Sequence, residues 1–455
     1  AFFLSCERFL TLDAPGNQVV ASNIFADSAL AEGAITGIYY EIFNGNASNF
    51  ASGGSGSVTS LMGLAADELI FNGTEANRQA FASVSLLPTT TGVSNLWTSA
   101  YKAIFRANDA LEGLATSDRI SRSVADRLRG EALFIRSFSH FYLLNMYGPI
   151  PLVLTSDYRT TRLSPREPEE VVYDRIEKDL LEAMALLPDD YSHARGQRVR
   201  PNRWAAVALL ARVCLYRQKW AEAAGHASRL IGQVDRYRLL DDLSGVFLRD
   251  SPEAILQLLP SSTGYDTWEG FYAIPDPAFA VPPAYSITSG LLDMFEAGDR
   301  RKENWLARYV TEDDTEPFYP YKFKTKQLIA GAEHREYSMV LRVAEQYLIR
   351  AEARAHTGDL SAAVEDINAI RRRHAGLPEV ALEGKDEVLA AVEHERCVEF
   401  FYEWGHRWFD LKRWNKADEV LGKIKPDWRP ESKWLPIPQR ELEANPLLTQ
   451  NVGYN

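Results

Sequence analysis

A mainly α fold, an irregular superhelix of tetratricopeptide-like helical hairpins with little β structure, is predicted by three observations. Apolar residues recur at helical spacing through long segments, strand-like alternation is scarce, and one helix–break–helix unit occurs twice. Four of the long segments are 97–114, 127–148, 169–188 and 385–405. In a fifth, MVLRVAEQYLIRAEARAHTG, Val340, Ala344, Tyr347, Leu348, Ala351 and Ala355 fall on one face, and Gly358 stands where a C-terminal cap belongs.

The repeated unit sets residues 209–230 against 349–370, an offset of 140. Small residues coincide at Ala211/Ala351 and Ala223/Ala363, large apolar ones at Trp220/Leu360 and Leu230/Ile370. Small residues on facing helices permit the close approach on which tetratricopeptide hairpins depend. An offset that is no multiple of the roughly 34-residue unit predicts repeats that are irregular and interrupted.

Long irregular stretches separate the helical segments at 66–95, 265–285 and 305–323, and such stretches are usually functional where they persist. The second holds six aromatics and four prolines, the third six aromatics. Of Phe271, Phe279, Phe318 and Phe323, about half are expected to plug the core beneath the loops. Tyr and Trp join a broad apolar face to a polar handle, which suits a partly wet surface on which sugar rings stack. Pro275, Pro277, Pro282 and Pro283 would stiffen the loop and lower the entropy lost on binding.

The 455 residues, 46% hydrophobic and 25% charged, have the composition of a globular protein, and no stretch approaches the roughly 20 apolar residues of a membrane helix. A net charge of −12 with no segregated basic patch argues against nucleic acid. Cys214 and Cys397 lie in helical patterns and read as buried small hydrophobes, whereas Cys6 lies in no periodic pattern.

Enzyme motifs are missing, and no catalytic residue is predicted. The GGSGS run at 53–57 lacks the Gly-Lys-Ser/Thr of a phosphate loop, has Thr59 where GxGxxG requires Gly, and reads as a flexible linker. The eight histidines are scattered. Glu395, Glu399 and Glu403, followed by Arg407 and Asp410, could in principle supply the carboxylate pair of a glycosidase. Set among Arg396, Arg407, Lys412 and Arg413, they read instead as an ion-pair network that pins helices together.

Five segments in order carry a family resemblance: GEALFIRSFSHFYLLNMYGPIPLVL (130–154), RWAAVALLARVCLYRQKWAEAA (203–224), VAEQYLIRAEARAHTGDLSAAVEDINAIRRRHAGL (343–377), EHERCVEFFYEWGHRWFDLKRW (393–414) and WLPIPQRELEANPLLTQNVGY (434–454). Together they resemble the SusD/RagB family, with Val452 where the family often has Pro. The resemblance implies a cell-surface lipoprotein of the outer membrane, without catalysis. Its tetratricopeptide-like helices would pack against a SusC-type TonB-dependent transporter, and a long loop-rich face would capture oligosaccharide for it. It leaves open the same architecture holding peptides, and beside it stands a helical-repeat scaffold for protein partners. No cofactor is implied; some members carry a structural calcium, whose oxygen ligands the spacing does not place.

Matched by region, the ligand face would draw on Phe71, Asn72, Asn77 and Arg78, and on Tyr265, Trp268, Phe271, Tyr272 and Tyr285. Trp408, Asp410, Arg413 and Trp414 match closing motifs and read as structural. The resemblance also turns AFFLSC at the start into a cleavage junction: Ser5 precedes Cys6, whose thiol would take the lipid, and Phe3 and Leu4 are bulkier than usual there. The expected organisation is a signal-peptide remnant, lipidation site and tether at 1–25, an N-terminal helical region at 26–240, and a C-terminal region with the aromatic loops at 241–455. The last two form one integrated unit in this reading.

Overall fold

The computed structural model describes residues 24–44, 47–260, 264–276, 282–310, 315–327 and 335–454. Cys6, Pro277 and Phe279 lie outside them. Along the first half run α1 (Ser28–Asn44), α2 (Val58–Ala65), strand β1 (Leu69–Phe71), α3 (Ala76–Ser83), α4 (Thr91–Thr116), α5 (Arg122–Tyr147), α6 (Glu169–Leu186), α7 (Arg203–Tyr216) and α8 (Trp220–Ile231). In the second half come β2 (Ala254–Leu258), α9 (Trp268–Ala273), β3 (Tyr285–Ile287), β4 (Leu306–Arg308), β5 (Phe318–Pro320), β6 (Ser338–Arg342), α10 (Val343–Thr357), α11 (Leu360–Ile370), α12 (Lys385–Phe400) and α13 (His406–Arg413), with further short helices between and after them.

Each long helix packs on its predecessor from α4 through α8, and α8 then packs on α10, which packs on α11 and α12. The repeat read from the sequence is the α7–α8 hairpin and the α10–α11 hairpin. Ala211, Ala223, Ala351 and Ala363 are fully buried, as close helix packing requires. Residues 232–342, which carry the aromatic stretches, are inserted between two hairpins that touch in space, and this insertion is why the period is broken. Helix α7 is apolar on all sides because it lies at the centre, with every residue from Trp204 to Leu215 buried. Asn202 caps it by accepting from the Ala205 amide at 3.0 Å. Gly358 ends α10 in the left-handed region at φ +89°, and Asp359 opens α11 directly after it.

Among the described residues the strands form three two-stranded antiparallel pairs, β1 with β3, β2 with β6 and β4 with β5. Val340 belongs to β6, so the helix expected from residue 339 begins only at Val343; its apolar neighbours are consumed by pairing with β2. Region 66–95 is also less irregular than its composition suggests, since it contains β1 and α3.

The GGSGS run differs from the expectation for it. It is a hydrogen-bonded turn packed into the body, not a flexible linker: the Gly56 amide donates to the Ala47 carbonyl at 2.9 Å and Ser57 to Gly54 at 3.0 Å. A Cβ on Gly54 would come within 2.5 Å of the Ala47 backbone, so glycine is there for close approach. At the start of the described residues Phe25 is buried against Gly113 and its carbonyl accepts from Ser117 Oγ at 2.5 Å.

The carboxylates Glu395 and Glu399 of α12, with Glu403 in the turn that follows it, form an ion-pair layer. Glu399 accepts from Arg301 at 3.0 Å, Arg342 at 2.6 Å and His374 at 2.8 Å. Arg301 also holds Glu395 at 2.8 Å, and Lys322 holds Glu403 at 2.6 Å. All of these side chains are buried. Asp410 pairs with Arg396 and Arg413, and Trp414 Nε1 donates to Glu352 at 2.8 Å while Trp408 is fully buried. Cys214 and Cys397 are buried free thiols, each pushed up to about 12 by burial.

Candidate functional site

Helix α9 is short because its two ends are fixed from outside. Thr267 Oγ1 accepts from the Gly270 amide at 3.0 Å, and Lys326 Nζ donates to the Phe271 and Ile274 carbonyls at 2.8 Å each. Its inner face carries Glu269 and Gly270. A Cβ on Gly270 would meet the Thr325 carbonyl at 2.5 Å, so the helix lies directly on that backbone. Glu269 accepts from Ser338 and sits against Gly53, the buried turn read as a linker. Burial raises the Glu269 carboxyl to about 7, against the pull of the Ser338 hydroxyl.

With the inner face committed, Trp268, Phe271 and Tyr272 are left half-buried on the outer side beside Tyr265. The four rings form one cluster: Tyr265 lies 4.4 Å from Trp268 and 4.7 Å from Phe271, and Trp268 stacks near Tyr272 at 5.9 Å and 22°. Of the other phenylalanines, Phe323 is buried and Phe318 is half-buried.

The structure brings the two expected loop regions together through the β1–β3 pair, in which Phe71 stands opposite Tyr285. Asn72 clasps the joint, its Nδ2 donating to the Pro283 carbonyl at 2.9 Å and to Ser286 Oγ at 2.7 Å. Arg78 lies over the Phe71 ring at 4.3 Å and is held by Glu75 at 3.0 Å. Asn77 accepts from the Gly92 amide at 2.6 Å. Tyr285 is fully buried and Phe71 nearly so, so neither ring expected on a ligand face is open to solvent. Burial raises the Tyr285 phenol, while Ser60 and Arg78 lower it.

Trp268 also borders an open cleft of about 670 Å³ that the sequence reading missed. Its other walls are Glu41 and Ile42 of α1, the turn Ala47–Asn49, and a strip of α4 formed by Asn95, Thr98, Lys102 and Arg106. The signal for the strip was present. These residues recur at helical spacing opposite the buried Val93, Leu96, Trp97 and Ala100, and the helix was read only for its apolar side. An aromatic wall facing amide, hydroxyl and cationic donors can stack a ring and hydrogen-bond its hydroxyls.

Among the described residues Glu296, His394 and Glu395 bring potential metal-ligand atoms within 4.8 Å of one another. Arg371 already donates to both carboxylates, at 2.5 and 2.9 Å, so this cluster is built as an ion pair.

Comparison with known proteins places this architecture. Residues 42–215 match a SusD-like family described as starch-binding and associating with the outer membrane, and residues 308–454 match the SusD family. The chain belongs to the SusD/RagB family. A SusD-like protein of Formosa agariphila is 28% identical over 417 residues, 80% of this chain and 81% of that one. A SusD superfamily structure from Bacteroides vulgatus superposes with a TM-score of 0.80 at 23% identity, covering 95% of this chain and 100% of that one. A laminarin-binding SusD-like protein superposes at 0.78 with 25% identity, covering 94% and 99%. Members of the family associate with the outer membrane. Among the described residues no helix is long and apolar enough to cross a membrane.

Proposed function

We propose that this protein is a non-catalytic glycan-binding lipoprotein of the outer-membrane surface, which captures oligosaccharide and delivers it to a SusC-type TonB-dependent transporter. One observation carries the reading: four half-buried aromatics cluster on and beside α9, and one of them, Trp268, lines a polar-walled cleft. Family membership and the laminarin-binding neighbour support the class of ligand. The ion pairs that occupy Glu395, Glu399 and Glu403 support the absence of a glycosidase centre there. Attachment would be through a lipid on Cys6.

The test is calorimetric titration of the folded protein with a broad panel of polysaccharides and peptides. We expect binding to a glycan, weakened by about 1–3 kcal/mol in total when Trp268 and Tyr272 are both replaced by Ala. Binding confined to peptides, or no glycan binding at all, would overturn the carbohydrate reading. Mass spectrometry of native protein showing an unmodified Cys6 would overturn the anchor.

A further inference from the structure

The ligand-facing surface is unevenly supplied with donors. Asn72 is committed to Pro283 and Ser286, Asn77 to the Gly92 amide, and Arg78 to Glu75, so these side chains hold the protein together. In the cleft beside Trp268 the balance differs. Among the described residues Glu41 is the single carboxylate in its lining, while Lys102 and Arg106 both line it. Lys102 pairs with one oxygen of Glu41, and Arg106 with the other at 2.5 Å.

Two cations on one anion leave the cleft with a net positive charge, in a chain whose overall charge is −12. An ammonium carries three N–H donors and a guanidinium five, and each spends one on Glu41. Both heads stay hydrated, with side chains 55% and 41% exposed against 24% for Glu41, so engaging a new anion requires little further desolvation. The uncharged polar side chains Ser48, Asn49, Asn95, Thr98 and Ser99 also line the cleft and can serve sugar hydroxyls, but none of them can neutralise an anionic group. An uncompensated cation one helical turn from another, across from a tryptophan, fits a ring that bears a negative group. The planar fork of Arg106 matches a carboxylate or a sulfate ester.

We infer that this cleft selects an acidic saccharide, a sugar bearing a carboxylate or a sulfate ester, stacked on Trp268 with its anionic group held by Lys102 and Arg106. The inference rests on the glycan reading above and narrows it. The experiment titrates the full chain with laminarin as a neutral probe, alginate and polygalacturonate as carboxylated probes, and carrageenan as a sulfated one.

At least one acidic polymer should bind about tenfold or more tightly than laminarin, an advantage that falls as sodium chloride is raised. Lys102→Ala with Arg106→Ala should remove that advantage. Glu41→Gln, which releases both cations, should shift affinity for the acidic polymer the opposite way, so loss of fold cannot imitate the full pattern. Equal affinity for laminarin, unchanged in both variants but lost in Trp268→Ala, would overturn the acidic preference and leave glycan binding standing. No binding to any of the four polymers nor to the broader panel would overturn both.

Discussion

Gly53 shows how far one residue's role can depart from its sequence context. In a run of glycines and serines it reads as slack chain. In the fold it adopts φ +78° and lies so close to Glu269 that a Cβ would fall 2.2 Å from the carboxyl carbon. Both features exclude a side chain: the left-handed region strains an L-residue, and the neighbour is a buried group locked under α9. Gly53→Ala should therefore destabilise the protein by about 2–4 kcal/mol, read as a lowered urea midpoint. It should also disturb glycan binding, because the displaced Glu269 sits on the inner side of the helix that carries Trp268 and Tyr272. Nothing in the local sequence reveals this contact, which joins positions 53 and 269 and exists only once the chain has folded.

At the scale of elements, the long helices were legible because their periodicity is a local property, and the α7–α8 and α10–α11 hairpins lie where the repeat placed them. The short elements were not. Strand β1 has three residues and takes its order from β3, more than two hundred positions away, so no window of sequence contains its cause. The candidate site was legible in the same proportion: the aromatic stretch at 265–285 announced itself by composition, though as an irregular loop and not as the helix α9, whereas the polar wall of α4 emerged only when the cleft was seen. For the Glu395, Glu399 and Glu403 carboxylates the ion-pair reading holds but the partners differ: Arg301, Arg342, Arg371, His374 and Lys322 hold them, and Arg396, Arg407, Lys412 and Arg413, the neighbours in sequence, pair elsewhere. Burial raises the Glu399 carboxyl, but His374, Arg342 and Arg301 outweigh it and hold the group well below its ordinary 4.5. A folded-state value below the unfolded one means stability that is present above pH 4.5 and lost as pH falls further. Glu399→Gln should cost about 3–5 kcal/mol at neutral pH, since three buried cations lose their shared anion. Its acid sensitivity should also be shallower than that of the unaltered protein, as measured by denaturant unfolding at neutral and acidic pH.

For the whole molecule, the question is whether the regions 26–240 and 241–455 can stand apart, and the buried contacts between them argue that they cannot. Arg212 of α7 and Glu345 of α10 form a bidentate pair at 2.6 and 2.7 Å, both side chains 2% exposed, and Arg212 also donates to the Tyr142 hydroxyl at 3.0 Å. At a second seam, Arg407 clasps Asp67 at 2.8 Å, the Trp404 amide donates to Thr59 at 3.1 Å, and Lys425 reaches the Leu64 carbonyl at 2.7 Å. The chain thus returns to its own beginning after inserting its loop-rich face between two touching hairpins. Separating the halves would expose the apolar side of α8 where α10 packs and would leave Arg212 and Glu345 as unpaired buried charges, a penalty of several kcal/mol on top of the lost burial. Fragment 24–240 alone should therefore show no cooperative unfolding transition, while the intact chain should unfold in one step, with tryptophan fluorescence and far-ultraviolet circular dichroism tracing the same curve. Two resolved transitions in the intact chain, or a cooperative one in the fragment, would show instead that the ligand face is carried on a half that folds by itself.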